Sequence, residues 1–310
     1  MKENNYQAMA FRCFPSMDER EEDFERYTFE GDPLTFYTSR HDEFSFALLG
    51  DLVETEEESI EFLIDAMEQS SAVAELCRNV DGTDYVVVVT PPELGDQKIF
   101  TYLKKAADQT FEAFSYAPGY QGEECYAEVL ATCAWPERVV GEVSLSLGEA
   151  VINAIVPNFC MYKEALKPGT KGKFRLSASI NWLMVREPED VKVDEGEMYE
   201  QALTEFLENN PGKTKADFPG VFVSTEGAVG LFPHMRDSTS EFEIMSSVVS
   251  MEKTKINGVD ICKVQAFLYR FDDDEYMINL YGTEDQLEGI EVGQEVIGVI
   301  SLYAEPVLED

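Results

Sequence analysis

Histidine is the side chain that trades protons most readily near neutrality, and this chain has only two, His41 and His234. His41 is followed by Asp42 and Glu43, and a histidine held by a carboxylate can act as a general base. On a strand or turn those neighbours alternate faces, so an exposed loop histidine is the simpler reading. His234, in Phe-Pro-His-Met-Arg, reads as a loop-tip contact residue. Asp272-Asp273-Asp274-Glu275 invites a calcium reading, but an EF-type loop needs oxygens at its first, third and fifth positions and glycine at the sixth. Counting from Asp272 puts Tyr276 fifth and Met277 sixth. The run reads instead as a solvated hairpin tip. The six cysteines (Cys13, Cys77, Cys125, Cys133, Cys160, Cys262) form no CxxC and no zinc spacing, and read as free buried thiols. GxSxG, phosphate-loop, GxGxxG and HExxH patterns are missing. No catalytic residue, metal or cofactor is expected from these motifs.

Charge is the stronger signal. The 310 residues carry 24 Lys and Arg against 61 Asp and Glu, a net −37. A sequence-independent nucleic-acid binder needs the opposite balance to neutralise phosphates, and so does a protein that lies on anionic lipid. The excess is uneven. Residues 1–123 hold 9 basic and 27 acidic groups, 124–184 hold 6 and 6, and 185–310 hold 9 and 28. The neutral middle gathers Lys163, Lys167, Lys171, Lys173 and Arg175, the last three on one side of an expected strand. They either face acidic parts of the same chain or form a site for an anionic ligand or polyanion. Acidic clusters at 18–25, 54–58 and 187–197 read as solvated faces or loops. Glu21, Glu22, Asp272, Asp273 and Asp274 are the candidate carboxylates for a partner.

These residues sit on elements that periodicity places. Alternation predicts short strands at 34–38 and 44–49. Thr55 and Glu58 make a capping box for a helix at 56–69, with Ile60, Leu63, Ile64 and Met67 at helical spacing. A further helical turn or two is expected over 71–79, a buried strand over 84–89, and a long helix whose face runs from Ile99 to Phe114. From 124 the period becomes two, predicting strands at 126–133, 141–147, 151–156 and 173–185. A helix at 195–209 follows, then a hairpin pairing 220–224 with 229–232, then strands over 242–308.

The two strand-rich stretches share an order. Gly169 aligns with Gly293 at an offset of 124, and Glu142 with Lys263 at 121, as an old duplication with loop insertions would give. Leu166, Gly169, Phe174 and Leu176, and again Leu287, Gly293, Val296 and Val299, follow a phrase that resembles the late part of OB-type barrels. The expected class is therefore α+β: a mixed unit at 1–120, a β-rich small-barrel or meander unit at 121–190, and a second at 191–310 that begins with an acidic helix and a hairpin.

Three functions compete. The first is a non-enzymatic acidic protein that binds a basic protein, as an inhibitor, an immunity-type protein or a nucleic-acid mimic, with charge complementarity speeding association. The second is an OB-like module that binds nucleic acid or a small anion through 163–175. The third is an enzyme with an unfamiliar carboxylate site. Salt adaptation explains the charge without a partner, but fits poorly with 12% aromatic residues. No signal-type or membrane-spanning apolar run occurs, so a soluble cytoplasmic protein is expected. Self-repulsion at −37 is relieved by salt, so the thermal midpoint should rise between about 20 and about 300 mM NaCl. A flat or falling midpoint would mean that the charges are already paired or well separated.

Overall fold

The computed structural model describes residues 26–28, 35–37, 52, 56–68, 76–78, 84–89, 97–105, 111–134, 140–148, 150–162, 165–234, 240–271 and 274–307. The elements in the first part of the chain are β1 (Arg26–Thr28), β2 (Thr35–Tyr37), α1 (Glu56–Glu68), β3 (Leu76–Arg78), β4 (Asp84–Val89), β5 (Lys98–Lys105) and β6 (Phe111–Gly119). Then come β7 (Glu123–Ala134), β8 (Gly141–Leu147), β9 (Ala150–Val156), β10 (Lys171–Val185), β11 (Asp190–Val193), α2 (Glu197–Asn209) and β12 (Val221–Ser224). The last are β13 (Gly230–Pro233), β14 (Glu241–Ile256), β15 (Val259–Phe271), β16 (Asp274–Gly282) and β17 (Glu295–Pro306). The protein is a strand-rich α+β fold with a large mixed sheet.

Three expectations fail. The long helix over 99–114 is instead two strands, β5 and β6, which pair antiparallel. Ile99 and Thr101 are buried, and so are Phe100 and Tyr102 on the other face. A strand buried on both faces loses its two-residue alternation, so period cannot separate it from a helix. The turn expected over 71–79 contains strand β3. The hairpin of 220–224 with 229–232 does not form: β12 pairs with β11, and β13 with β14. Helix α1 is where expected, but Phe62 and Ala66 face the core while Ile64 is exposed. Thr55 and the strand expected at 44–49 lie outside the described residues.

The four strands β7–β10 and the four strands β14–β17 pair in the same pattern. Each set is a meander of three strands (β7-β8-β9, β14-β15-β16) whose fourth strand pairs antiparallel with its own first. The fourth strands, β10 and β17, pair with each other over eleven positions, and each lies parallel to the third strand of the other set. Local details repeat too. A register shift follows Val129 in β7 and Val248 in β14. At each the chain closes a reciprocal pair of bonds: Gly169 N–H to the Val129 carbonyl (2.7 Å) and Val129 N–H to Thr170 (2.8 Å), then Gly293 N–H to Val248 (2.8 Å) and Val248 N–H to Gln294 (2.9 Å). Gly169 and Gly293 have φ of 87° and 89°, which glycine adopts without strain.

One apolar cluster takes side chains from both sets, among them Leu145, Ile152, Phe174, Ile180, Val264, Leu280, Ile300 and Leu302. A second joins them to the first part of the chain. There Tyr120 stacks on Tyr281 (4.8 Å) and meets Tyr303 edge-on (5.1 Å). The Gln121 carbonyl accepts from Tyr281 Oη (2.7 Å) and Asn279 Nδ2 (3.1 Å), while Gln121 N–H donates to Gln97 Oε1 (2.8 Å). Burial drives the Tyr120 hydroxyl well above its ordinary pKa, so this seam is polar but uncharged.

The β14–β15 turn docks on α1. Ile256 pairs with Val259 across Asn257 and Gly258, whose φ values are 48° and 80°, as a type I′ hairpin requires. Asn257 Nδ2 donates to the Phe62 carbonyl (3.0 Å), 195 residues away. Asn257→Ala therefore loses both a tolerated left-handed residue and a buried hydrogen bond, about 2 kcal/mol together. Asn257→Gly should recover about half of that in urea unfolding. Equal losses in the two variants would show that the bond to Phe62 carries the whole effect.

Candidate partner-binding surface

The surface begins with a parity change in β10. Along this strand Phe174, Leu176, Ala178 and Ile180 point into the core. Unbroken alternation would send Trp182 and Met184 inward as well. Between Ile180↔Ile300 and Trp182↔Val299 the register skips Asn181. This bulge reverses the faces: Leu183 is buried, and Trp182 and Met184 are left 45% and 56% exposed. Asn181 is held by donation to Glu241 Oε1 (3.1 Å) and by accepting from Ser301 Oγ (3.1 Å).

Beyond Val185 the chain leaves the large sheet and makes an excursion, β11-α2-β12, before rejoining it at β13. Its own apolar centre is small. Tyr199 and Leu203 are buried on one face of α2, and Phe218 packs against Tyr199 (5.5 Å) and Phe206 (5.3 Å). Before Phe218, Thr214 and Asp217 form a capping box, and the Thr214 N–H holds the Asp217 carboxyl below its ordinary pKa. Such a centre cannot fix the excursion alone.

Glu295, at the start of β17, clasps both ends. Its carboxylate accepts from Arg186 Nη1 (3.0 Å) where the excursion begins and from Gly227 N–H (2.6 Å) where it ends. Its carbonyl accepts from Arg186 N–H (2.8 Å). Arg186 also reaches the Thr225 carbonyl (3.3 Å). The Arg186 and Glu295 side chains are mostly shielded from water, where an ion pair carries more weight than on an open surface.

The excursion's surface is acidic and apolar at once. From 187 to 209 there are nine carboxylates (Glu187, Glu189, Asp190, Asp194, Glu195, Glu197, Glu200, Glu205, Glu208) and one cation, Lys192, and all ten are exposed. A hydrogen bond to Asp194 raises the Lys192 pKa and occupies that cation. Among the carboxylates stand Val191, Met198, Phe222 and Val223, all exposed, with Phe222 at 57%. Water-facing apolar groups within a charged field suit a partner that brings cations and apolar surface together.

Glu21, Glu22, Asp272, Asp273, Lys163 and His41 are outside the described residues. Asp274 opens β16 opposite Phe271. Lys171, Lys173 and Arg175 do share one side of β10, but β7 sets carboxylates beside them: Lys171–Glu128 (3.0 Å), Lys173–Glu124 (3.9 Å) and Arg175–Glu124 (3.3 Å). Lys167 is exposed. His234 continues the β13–β14 ladder, with Nδ1 3.2 Å from Glu243 Oε1. No group of three or more His, Cys, Asp or Glu among the described residues is arranged to hold a metal ion. Cys125, Cys160 and Cys262 are free thiols, and burial pushes Cys125 up to about 12. No helix among the described residues is long and apolar enough to cross a membrane.

In sequence the 187–197 cluster reads only as a solvated face or loop, and Phe222 and Val223 fall in the expected 220–224 hairpin strand. The signal that could have found the surface was their coincidence within forty residues. No known protein family matches the chain, and a search of characterised proteins finds no relative.

The clasp gives a test. Glu295→Ala removes the acceptor of Arg186 and Gly227, at about 2 kcal/mol. Limited proteolysis should then cut within 187–226 on the order of tenfold faster or more, while the large sheet stays intact. Uniformly faster cleavage would show that Glu295 supports the whole fold instead.

Proposed function

We propose that this is a non-enzymatic interaction protein that captures a basic protein through its acidic surface, in an inhibitor, immunity-type or nucleic-acid-mimic role. The observation that carries the reading is the 187–226 excursion, where eleven exposed carboxylates share forty residues with exposed Val191, Met198, Phe222 and Val223, just after exposed Trp182 and Met184 in the chain. Carboxylates steer a basic partner and raise its association rate, and large apolar side chains supply anchors once water is excluded. The strand sets form the rigid support. We read them as duplicated small barrels of OB-like form that share the β10–β17 ribbon, a reading supported by the matched pairings and the two glycines. Free thiols at Cys125, Cys160 and Cys262 suit a reducing, cytoplasmic setting.

The anionic-ligand alternative is weakened by Glu124 and Glu128, which supply countercharge to Lys171, Lys173 and Arg175. The test is capture from host extract with the native chain and with a variant in which Glu187, Glu189, Asp190, Asp194 and Glu195 are amides. The account expects a basic protein retained by the native chain, lost to the variant, and released as salt rises above about 0.15 M. Charge reversal at Glu21, Glu22, Asp272, Asp273 or Asp274 would show whether those carboxylates join the contact. Low-salt binding of oligonucleotides, abolished by Lys171→Glu with Lys173→Glu, would overturn the reading in favour of the basic side of β10.

A further inference from the structure

The excursion's two strands form a separate two-stranded sheet, β11 with β12. A two-stranded ribbon is marginal in water unless something completes it. Thr225 N–H donates to the Glu189 carbonyl (3.1 Å), which fixes the alternation of the ladder. Glu189/Thr225, Val191/Val223 and Val193/Val221 are then the bonded pairs, while Phe222 and Ser224 turn their N–H and C=O groups outward from β12. Among the described residues no other strand pairs with that edge and no backbone hydrogen bond reaches it.

The two edges differ. Proteins blunt exposed edges with lysine, proline and other charges. The β11 side has Pro188, Asp190 and Lys192, the last paired to Asp194. The sequence of β12 is Val-Phe-Val-Ser, with no charge and no proline. Phe222 and Val223 are exposed on its opposite faces, ready to contact alternate side chains of a neighbour. An edge of this kind either pairs with a partner or aggregates.

We propose that β12 is a strand-addition site: an extended, basic segment of the partner pairs with the Phe222–Ser224 edge and makes β11-β12 three-stranded. The inference rests on the proposed function, since the same surface is the contact. Charge selects the occupant. A second copy would bring its own carboxylates toward Glu187, Glu189, Asp190, Asp194 and Glu195 in a chain of net −37, whereas a cationic segment is drawn into the field of those carboxylates, which lie one strand beyond β12.

The probe is a synthetic strand of about ten residues alternating Lys and Val, titrated into the full chain, with a Glu-Val strand as control. Binding should be specific to the cationic strand and should slow hydrogen exchange at the Phe222 and Ser224 amides, leaving the Val221 and Val223 amides, already bonded to β11, little changed. Beyond the ring that Phe222→Ala also removes, Phe222→Pro deletes one outward backbone donor and none that faces β11, so it should leave the β11–β12 pairing intact. It should weaken binding about tenfold more than Phe222→Ala, with unchanged far-ultraviolet circular dichroism and thermal midpoint in both variants. If the cationic strand binds but those two amides stay unprotected, or the two variants are equal, strand addition is overturned and the basic-partner reading stands. Concentration-dependent dimers that protect the same amides would overturn the basic occupant in favour of a second copy. If the cationic strand fails to bind even at low salt, strand addition is overturned, and capture of a full basic partner by the native chain then decides whether the broader reading falls with it.

Discussion

The antiparallel ribbon of β10 with β17 is the constraint on which the rest depends. Over Phe174–Ile180 and Ile300–Pro306 its two strands send Phe174, Leu176, Ala178, Ile180, Ile300, Leu302 and Ala304 into one core. The other face carries Ser177, Ser179 and Ser301, small and buried, with Tyr303 reaching the tyrosine stack. Each strand also closes its own set and lies parallel to the third strand of the other. Neither set has a complete hydrogen-bond ladder without this ribbon, so the two share one cooperative unit and not merely a contact.

The same ribbon decides where the surface goes. The bulge at Asn181 turns Trp182 and Met184 to water, and Glu295, opening β17, grips both ends of the excursion. A loosely cored, acidic segment is thus held at fixed points on a rigid sheet. Loops that carry function on a stable scaffold follow this arrangement because their own apolar contacts cannot order them.

Much of the scaffold was legible from sequence. Strands of both sets alternate or run apolar between glycine and turn punctuation, and the Gly169/Gly293 and Glu142/Lys263 alignments match the register on either side of the Val129 and Val248 shifts. Asn257-Gly258, a dipeptide that favours a type I′ turn between two strands, marks the β14–β15 hairpin in the sequence itself. Strand β5 was not legible, because Phe100 and Tyr102 are buried opposite Ile99 and Thr101. The Asn181 bulge was not, because one inserted residue shows only against the partner strand. The surface was half legible: its carboxylates stand out in composition, but nothing local says that Trp182 and Phe222 face water beside them.

Hydrogen exchange at the backbone amides of β10 and β17 tests the shared-ribbon account most directly. The bonded amides within 177–180 and 300–303 should exchange slowest of all. They should open at the global unfolding free energy and in step with the bonded amides of β8 and β15. Residues 190–224 should exchange far faster. If β7–β9 and β14–β16 open independently, or the ribbon exchanges before either meander, the claim that one ribbon holds both sets together is wrong.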